Sequence, residues 1–425
     1  MKISRLYVSL LAAILIVAMG CSLAGCAQSK DQEKPAVSTK MDLMADITPR
    51  SVALQEDLQS PNEKAADFAV GLFKACRETE GNTLVSPLSV MYALAMTANG
   101  AQEETLRQME AVLGMSTGEL NSYLYSYMQT LPLGENCILR MANSIWFRDD
   151  SRFTVEQDFL QINADYYGAG IYKALFDEQT CREINDWVKE NTDGMIPSVL
   201  DEIPERVLMY LINALAFEAK WQEPYDDFQI TQGTFTQEDG TKQDAQFMHG
   251  TENIYLSDEH GTGFMKYYAG GKYAFVAMLP DEGVTVEEYV ESLDGKALYA
   301  LLFDPEHEAV NTVIPKFETE YSLEMSEILA DMGMPDAFDP DKSDFGKLGR
   351  STDGNIYITS VVHKTYLAVD ENGTKAAAVT VVAPGDEAAA MITKEVRLDR
   401  PFVYMLVDCE NHIPLFIGTA MNVNG

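Results

Sequence analysis

Glu371-Asn372-Gly373-Thr374-Lys375-Ala376-Ala377-Ala378-Val379-Thr380-Val381-Val382-Ala383-Pro384-Gly385-Asp386-Glu387-Ala388-Ala389-Ala390-Met391-Ile392 reads as neither an ordinary loop nor an ordinary strand. Exposed loops are richer in Ser, Asn and Asp, and buried strands carry Ile, Leu and Phe. Here an acidic turn at Asn372-Gly373 gives way to small and β-branched residues with little bulk, then to a Pro-Gly-Asp-Glu break. The ends are polar enough for solvent. The middle is small and β-capable enough to slot between two strands.

Outward from this stretch the texture is globular. Of 425 residues, 46% are hydrophobic and 23% charged, which excludes a disordered chain. The net charge of -35 disfavours nucleic acid and anionic membrane surfaces, and favours solubility and cationic partners. Helical spacing runs over 62–77, 90–96, 103–113, 120–129 and 182–191, with a strand at 138–147. From Val207 onward β-like runs dominate, at 207–221, 234–248, 262–268, 273–279, 310–315, 356–370 and 401–419. Helical interruptions are expected at 286–293 and 322–332. Helices first and strands later indicate an α+β fold around large sheets.

The N-terminus reads as a targeting segment. Lys2 and Arg5 precede an apolar run from Leu10 to Met19, too short to span a bilayer comfortably. Leu23-Ala24-Gly25-Cys26 resembles the bacterial lipobox, and Met19-Gly20-Cys21 is a weaker competing site. Residues 1–25 are therefore expected as a lipoprotein signal peptide, with Cys26 lipidated and the protein held on the outer face of the cell membrane. Residues 26–60, rich in Gln, Lys, Ser, Asp and Pro, are expected as a flexible spacer. Residues 61–425 are expected as one domain. Cys76, Cys137, Cys181 and Cys409 show no metal-ligand spacing and read as buried free thiols.

Enzyme chemistry finds no support. There is no G-x-S-x-G, H-E-x-x-H or P-loop. Asp339-Pro340-Asp341 begins like a calcium loop, but Asp344 and Arg350 stand where Gly and a bidentate Glu are required. The five histidines are isolated. No cofactor and no metal are expected.

Seven stretches, taken in order, resemble the serpins. They are Asn82-Thr83-Leu84-Val85-Ser86-Pro87-Leu88-Ser89, Ala142-Asn143-Ser144-Ile145-Trp146-Phe147, Ile184–Ile196, Leu211–Trp221, Val313-Ile314-Pro315-Lys316-Phe317, Val361-Val362-His363-Lys364 and Asp399-Arg400-Pro401-Phe402. The resemblance implies three β-sheets, eight to nine helices and an exposed reactive centre loop. It also implies a suicide inhibitor of extracellular serine proteases. The cleaved loop of the acyl-enzyme inserts into the large sheet as a new strand. Elastase-like, glutamyl and subtilisin-like enzymes are the implied targets, with cysteine proteases a further class, and the inhibitor is implied to be a monomer. The alternative is a non-inhibitory surface-binding lipoprotein of the same fold, suggested by Lys375 and Pro384.

Residue by residue, the resemblance assigns a hinge to Glu371, Gly373, Thr374, Ala376, Ala377 and Ala378. It assigns a shutter to Ser86, Ser89, Asn213 and His363, and a breach to Trp221 and Lys316, with Lys316 and Glu371 paired. Counting forward from Glu371 puts cleavage at Glu387–Ala388. Counting back from Asp399-Arg400-Pro401-Phe402 puts it at Ala390–Met391. Cleavage three residues later adds roughly 10 Å of slack, so the hinge count governs. By alternation Thr374, Ala376, Ala378, Thr380 and Val382 would face inward on insertion.

Overall fold

Every residue of the helix Pro87–Ala98 is buried. Ser86 precedes it in an extended conformation and Pro87 opens it, where the missing N–H has no intrahelical partner to lose. A helix apolar on all sides must be enclosed on all sides. This one packs against the strand Met209–Lys220 of one sheet and the strand Ile413–Ala420 of another.

The computed structural model describes residues 40–77, 81–131, 137–374 and 394–423. Among them are nine α-helices and three main sheets, an α+β fold with the element counts that the resemblance implies. The large sheet has seven strands in the order Met41–Asp42, Gly170–Ala174, Cys137–Arg148, Met209–Lys220, Gly373–Thr374, Ser360–Asp370 and Phe317–Glu324. A six-stranded sheet carries the Phe402–Asp408 and Ile413–Ala420 hairpin. A four-stranded sheet runs Lys394–Arg397, Val310–Pro315, Lys242–Glu252 and Ile230–Thr236. A two-stranded ribbon joins Gly349–Ser351 to Phe153–Val155.

Several elements depart from the sequence reading. The spacer expected to residue 60 lies, from Lys40 on, against the folded body. Met41 and Asp42 pair with Lys173 and Tyr172 at the edge of the large sheet. The buried Asp165 carboxylate accepts the Arg50 N–H at 2.7 Å and its Nε–H at 2.8 Å, so a charge that could not stand alone is paired. The 322–332 segment is helical only over Ser326–Asp331. Phe317, Thr319 and Tyr321 are buried in alternation with exposed Glu318, Glu320 and Ser322, and the ladder to 360–370 continues through Glu324. The 401–419 run is a hairpin, because the Asp408 carboxylate accepts the N–H groups of Glu410 and Asn411 and turns the chain. Cys76, Cys137 and Cys181 are buried free thiols, and Cys409 is a half-buried one.

Candidate functional site

The strands Met209–Lys220 and Ser360–Asp370 pair directly and in parallel over seven residue pairs, from Tyr210↔Ser360 to Ala216↔Tyr366. Above that they part, and Gly373–Thr374 fills the gap. Beyond the 360–370 strand the Asp370 carboxylate accepts the N–H of Asn372 at 2.7 Å and of Gly373 at 3.2 Å. This reverses the chain. Gly373 and Thr374 then pair antiparallel with Asp370 and Val369 on one side, and with Lys220 and Ala219 on the other. Gly373 has φ 151°, and a Cβ there would fall 2.1 Å from the Ala219 carbonyl oxygen, so only glycine fits.

Side chains hold this junction from below. Thr374 is fully buried, and its Oγ1 lies 2.6 Å from the Tyr268 hydroxyl. Tyr268 stacks on Trp221 with centroids 4.4 Å apart, and Trp221 Nε1–H donates to the Asp370 carbonyl at 2.8 Å. Lys266 Nζ sits 5.3 Å from the Trp221 ring centre and 4.4 Å from that of Tyr225, ion-paired to Glu252 at 2.8 Å. Burial pushes the Glu252 carboxyl above its ordinary range despite Lys266. Backbone N–H groups of Trp221 and Tyr225 donate to the carbonyls of Asn372 and Glu371, each at 2.9 Å. Lys316 Nζ lies 2.6 Å from Glu371 Oε2. Partial burial opposes the Glu371 carboxylate, but the Lys316 hydrogen bond, a backbone N–H and the Lys316 charge together outweigh it, and the group sits below the usual range.

Lower on the same strands is a second cluster. Asn143 is opposite Asn213, and Asn213 is opposite His363, so three polar residues share one row across three adjacent strands. Ser86 and Ser89, at the start of the buried helix, meet them. The Ser86 N–H donates to His363 Nε2 at 3.1 Å, which leaves Nδ1–H to donate to Asn213 Oδ1 at 2.5 Å. Asn213 Nδ2 donates to Ser89 Oγ at 2.6 Å and to Asn143 Oδ1 at 2.7 Å. Burial drives the His363 imidazole down to about 3, so it is neutral. Two buried groups of the cluster, Ser86 Oγ and Asn143 Nδ2, have no partner among the described residues.

The structure thus brings Ser86, Ser89, Asn213 and His363 together at one level of the sheet, and Trp221, Lys316, Glu371, Gly373 and Thr374 at another. Ala376, Ala377, Ala378, Glu387, Ala388, Ala390, Met391 and Cys26 lie outside the described residues. Asn143, Tyr268, Lys266 and Glu252 belong to these clusters and were not singled out from the sequence. Asn143 had a signal, a polar residue mid-strand within the motif Ala142–Phe147. Tyr268 had none, because its partner is 106 residues away.

A large sheet that parts to seat Gly373–Thr374, over a buried polar row, defines a class. A family profile described as serpin (serine protease inhibitor) matches residues 63–423, and the chain belongs to the serpin family. It is similar to the thermophilic serpin tengpin. In the native state that structure superposes with a TM-score of 0.88 at 44% identity, over 91% of this chain and 100% of that one. In the latent state the TM-score is 0.76 at 42% identity, over 88% and 100%. Human serpin B8 is 30% identical over 84% of this chain and 97% of its own length. The horse leukocyte elastase inhibitor is 28% identical over 83% and 96%.

Proposed function

We propose that this protein traps extracellular serine proteases as a suicide substrate, from a lipid tether at Cys26 on the outer face of the cell membrane. The protease serine Oγ attacks the Glu387 carbonyl carbon. The Glu387–Ala388 bond breaks, and Ala388 leaves as an amine carrying the serine proton. The freed loop then enters the large sheet with the acyl-enzyme attached. Elastase-like, glutamyl or subtilisin-like enzymes fit the small and acidic residues around this bond, and one relative is itself called an elastase inhibitor.

The observation that carries this reading is the hinge. Gly373 and Thr374 already form a short antiparallel ladder between two strands that are otherwise joined in parallel. Insertion exchanges one parallel ladder for two antiparallel ones, which bond more favourably per residue. Stepping the register down one residue at a time brings Thr380 beside both Asn213 and His363. It brings Pro384 beside Met209, the first residue of its strand, where a missing N–H interrupts little of the ladder. From Thr374 to Glu387 the travel is roughly 40 Å at strand rise.

The test is incubation of the protein with proteases of the three classes. An SDS-stable complex with at least one is expected, with a C-terminal fragment whose mass begins at Ala388. Loop cleavage by all of them without any complex sinks the reading.

A further inference from the structure

Phe228 is 81% exposed, more than any other large apolar side chain found exposed among the described residues. It is nevertheless held firmly. It sits in the short turn Asp227–Gln229, where Gln229 Oε1 accepts the Asp226 N–H at 2.9 Å and Gln229 Nε2 donates to the His249 carbonyl at 3.0 Å. The turn is therefore stapled to the strand Lys242–Glu252. An exposed aromatic ring on an anchored backbone presents apolar area that a partner can cover without ordering the chain beneath it. Asp227 precedes it directly and Glu223 stands five residues earlier in the same segment, both exposed and neither ion-paired among the described residues.

Its position matters more than its exposure. The segment that carries it is bonded to the base of the reactive loop, through the Trp221 and Tyr225 N–H groups. The chain returns from that loop into Lys394–Arg397, three strands across the four-stranded sheet from Ile230–Thr236, about 14 Å away at the usual strand spacing. Phe228 thus lies on the segment bonded to the start of the loop and on the same sheet that its end rejoins, on the side from which a protease engaged on it would approach.

We propose that Phe228, with Glu223 and Asp227, is a docking surface for the attacking protease. The partner is a serine protease with an apolar notch rimmed by Lys or Arg beside its substrate cleft. This rests on the inhibitory reading and adds a source of specificity independent of the scissile residues. A central aromatic supplies the anchor. The two carboxylates, in a chain of net charge -35, speed encounter with a basic surface.

The full chain is assayed against each protease that forms an SDS-stable complex with it. F228A is expected to lower the second-order association rate by about tenfold, with stoichiometry of inhibition and melting midpoint unchanged, and F228Y to restore it. The pair E223Q/D227N is expected to slow association and flatten its salt dependence. An F228A rate within about twofold of wild type for every trapped protease overturns the docking surface and leaves the inhibitory reading intact. If the wild-type chain traps no protease, the inhibitory reading falls and the docking surface with it. Loss of a dimer in F228A on sedimentation, with trapping rates unchanged, assigns the ring to self-association and also overturns the proposal.

Discussion

The breach and the shutter stand on the same strand, with Ala219 at one and Asn213 at the other, about 20 Å apart by strand rise. They hold the sheet by opposite means. The breach is already open by two residues, and aromatic stacking, a buried ion pair and a half-exposed one hold it in that state. The shutter is closed and wholly buried, with hydrogen bonds among five residues and two groups left unsatisfied. Each unmade buried hydrogen bond costs about 1–3 kcal/mol. The native shutter therefore holds two groups at a cost, and in the proposed insertion the strand that parts Asn213 from His363 brings new partners to this row. In the proposed insertion, the breach decides whether entry begins, and the shutter decides how much is gained when it passes.

Changes at either site sharpen this contrast. The largest effect is expected at Thr374. In T374R a charge replaces a fully buried hydroxyl, the hinge cannot lie between its strands, and trapping should give way to plain cleavage. On SDS gels the complex band should vanish while the cleaved band grows. Next is K266M, which leaves Glu252 buried without its partner. A loss of about 3–5 kcal/mol is expected, read as a lowered unfolding midpoint, with E252M in the same chain restoring most of it. Full stability of K266M alone would separate the ion pair from the breach.

The shutter responds to pH. Unfolded imidazole takes a proton near pH 6.5, whereas His363 resists protonation until about 3. Between these values the unfolded chain binds more protons, so stability is complete above pH 6.5 and falls as pH drops. The slope approaches about 1.4 kcal/mol per unit. Denaturant midpoints from pH 7 to pH 4 should show it, and H363Q should remove that part of the slope. The smallest effect belongs to E371A. Its ion pair with Lys316 is partly exposed, and a stability change below about 1 kcal/mol is expected. A much larger loss would show that the pair, and not the stacked rings, holds the gap.

Much of this was legible in the residues. The ordered motifs carried the fold, and Asn213, His363, Ser86 and Ser89 came from them at once. Gly373 and Thr374 lie inside the large sheet, and the small residues expected to follow them there, Ala376 to Ala378, lie outside the described residues. What could not be read depends on long-range pairing. Tyr268 reaches Thr374 only because the 261–267 strand ends beneath the gap. Lys266 looks like any strand lysine until Trp221, Tyr225 and Glu252 enclose it. Residues from Lys40 read as spacer because their composition is polar, yet a sheet edge needs only backbone groups to accept Met41 and Asp42. The 322–332 segment was misjudged because a short apolar run fits either period until a neighbouring strand claims it.

The two residues wedged in the breach also act as a stopper. A parted sheet offers unpaired N–H and C=O groups on both walls, the same template that lets one chain's strand add to another. Gly373 and Thr374 occupy those groups at Ala219, Lys220, Val369 and Asp370 with the chain's own backbone. Two copies that collide then meet with this gap already filled. The short ladder that fills this place in each copy thereby denies it to a strand of its neighbour.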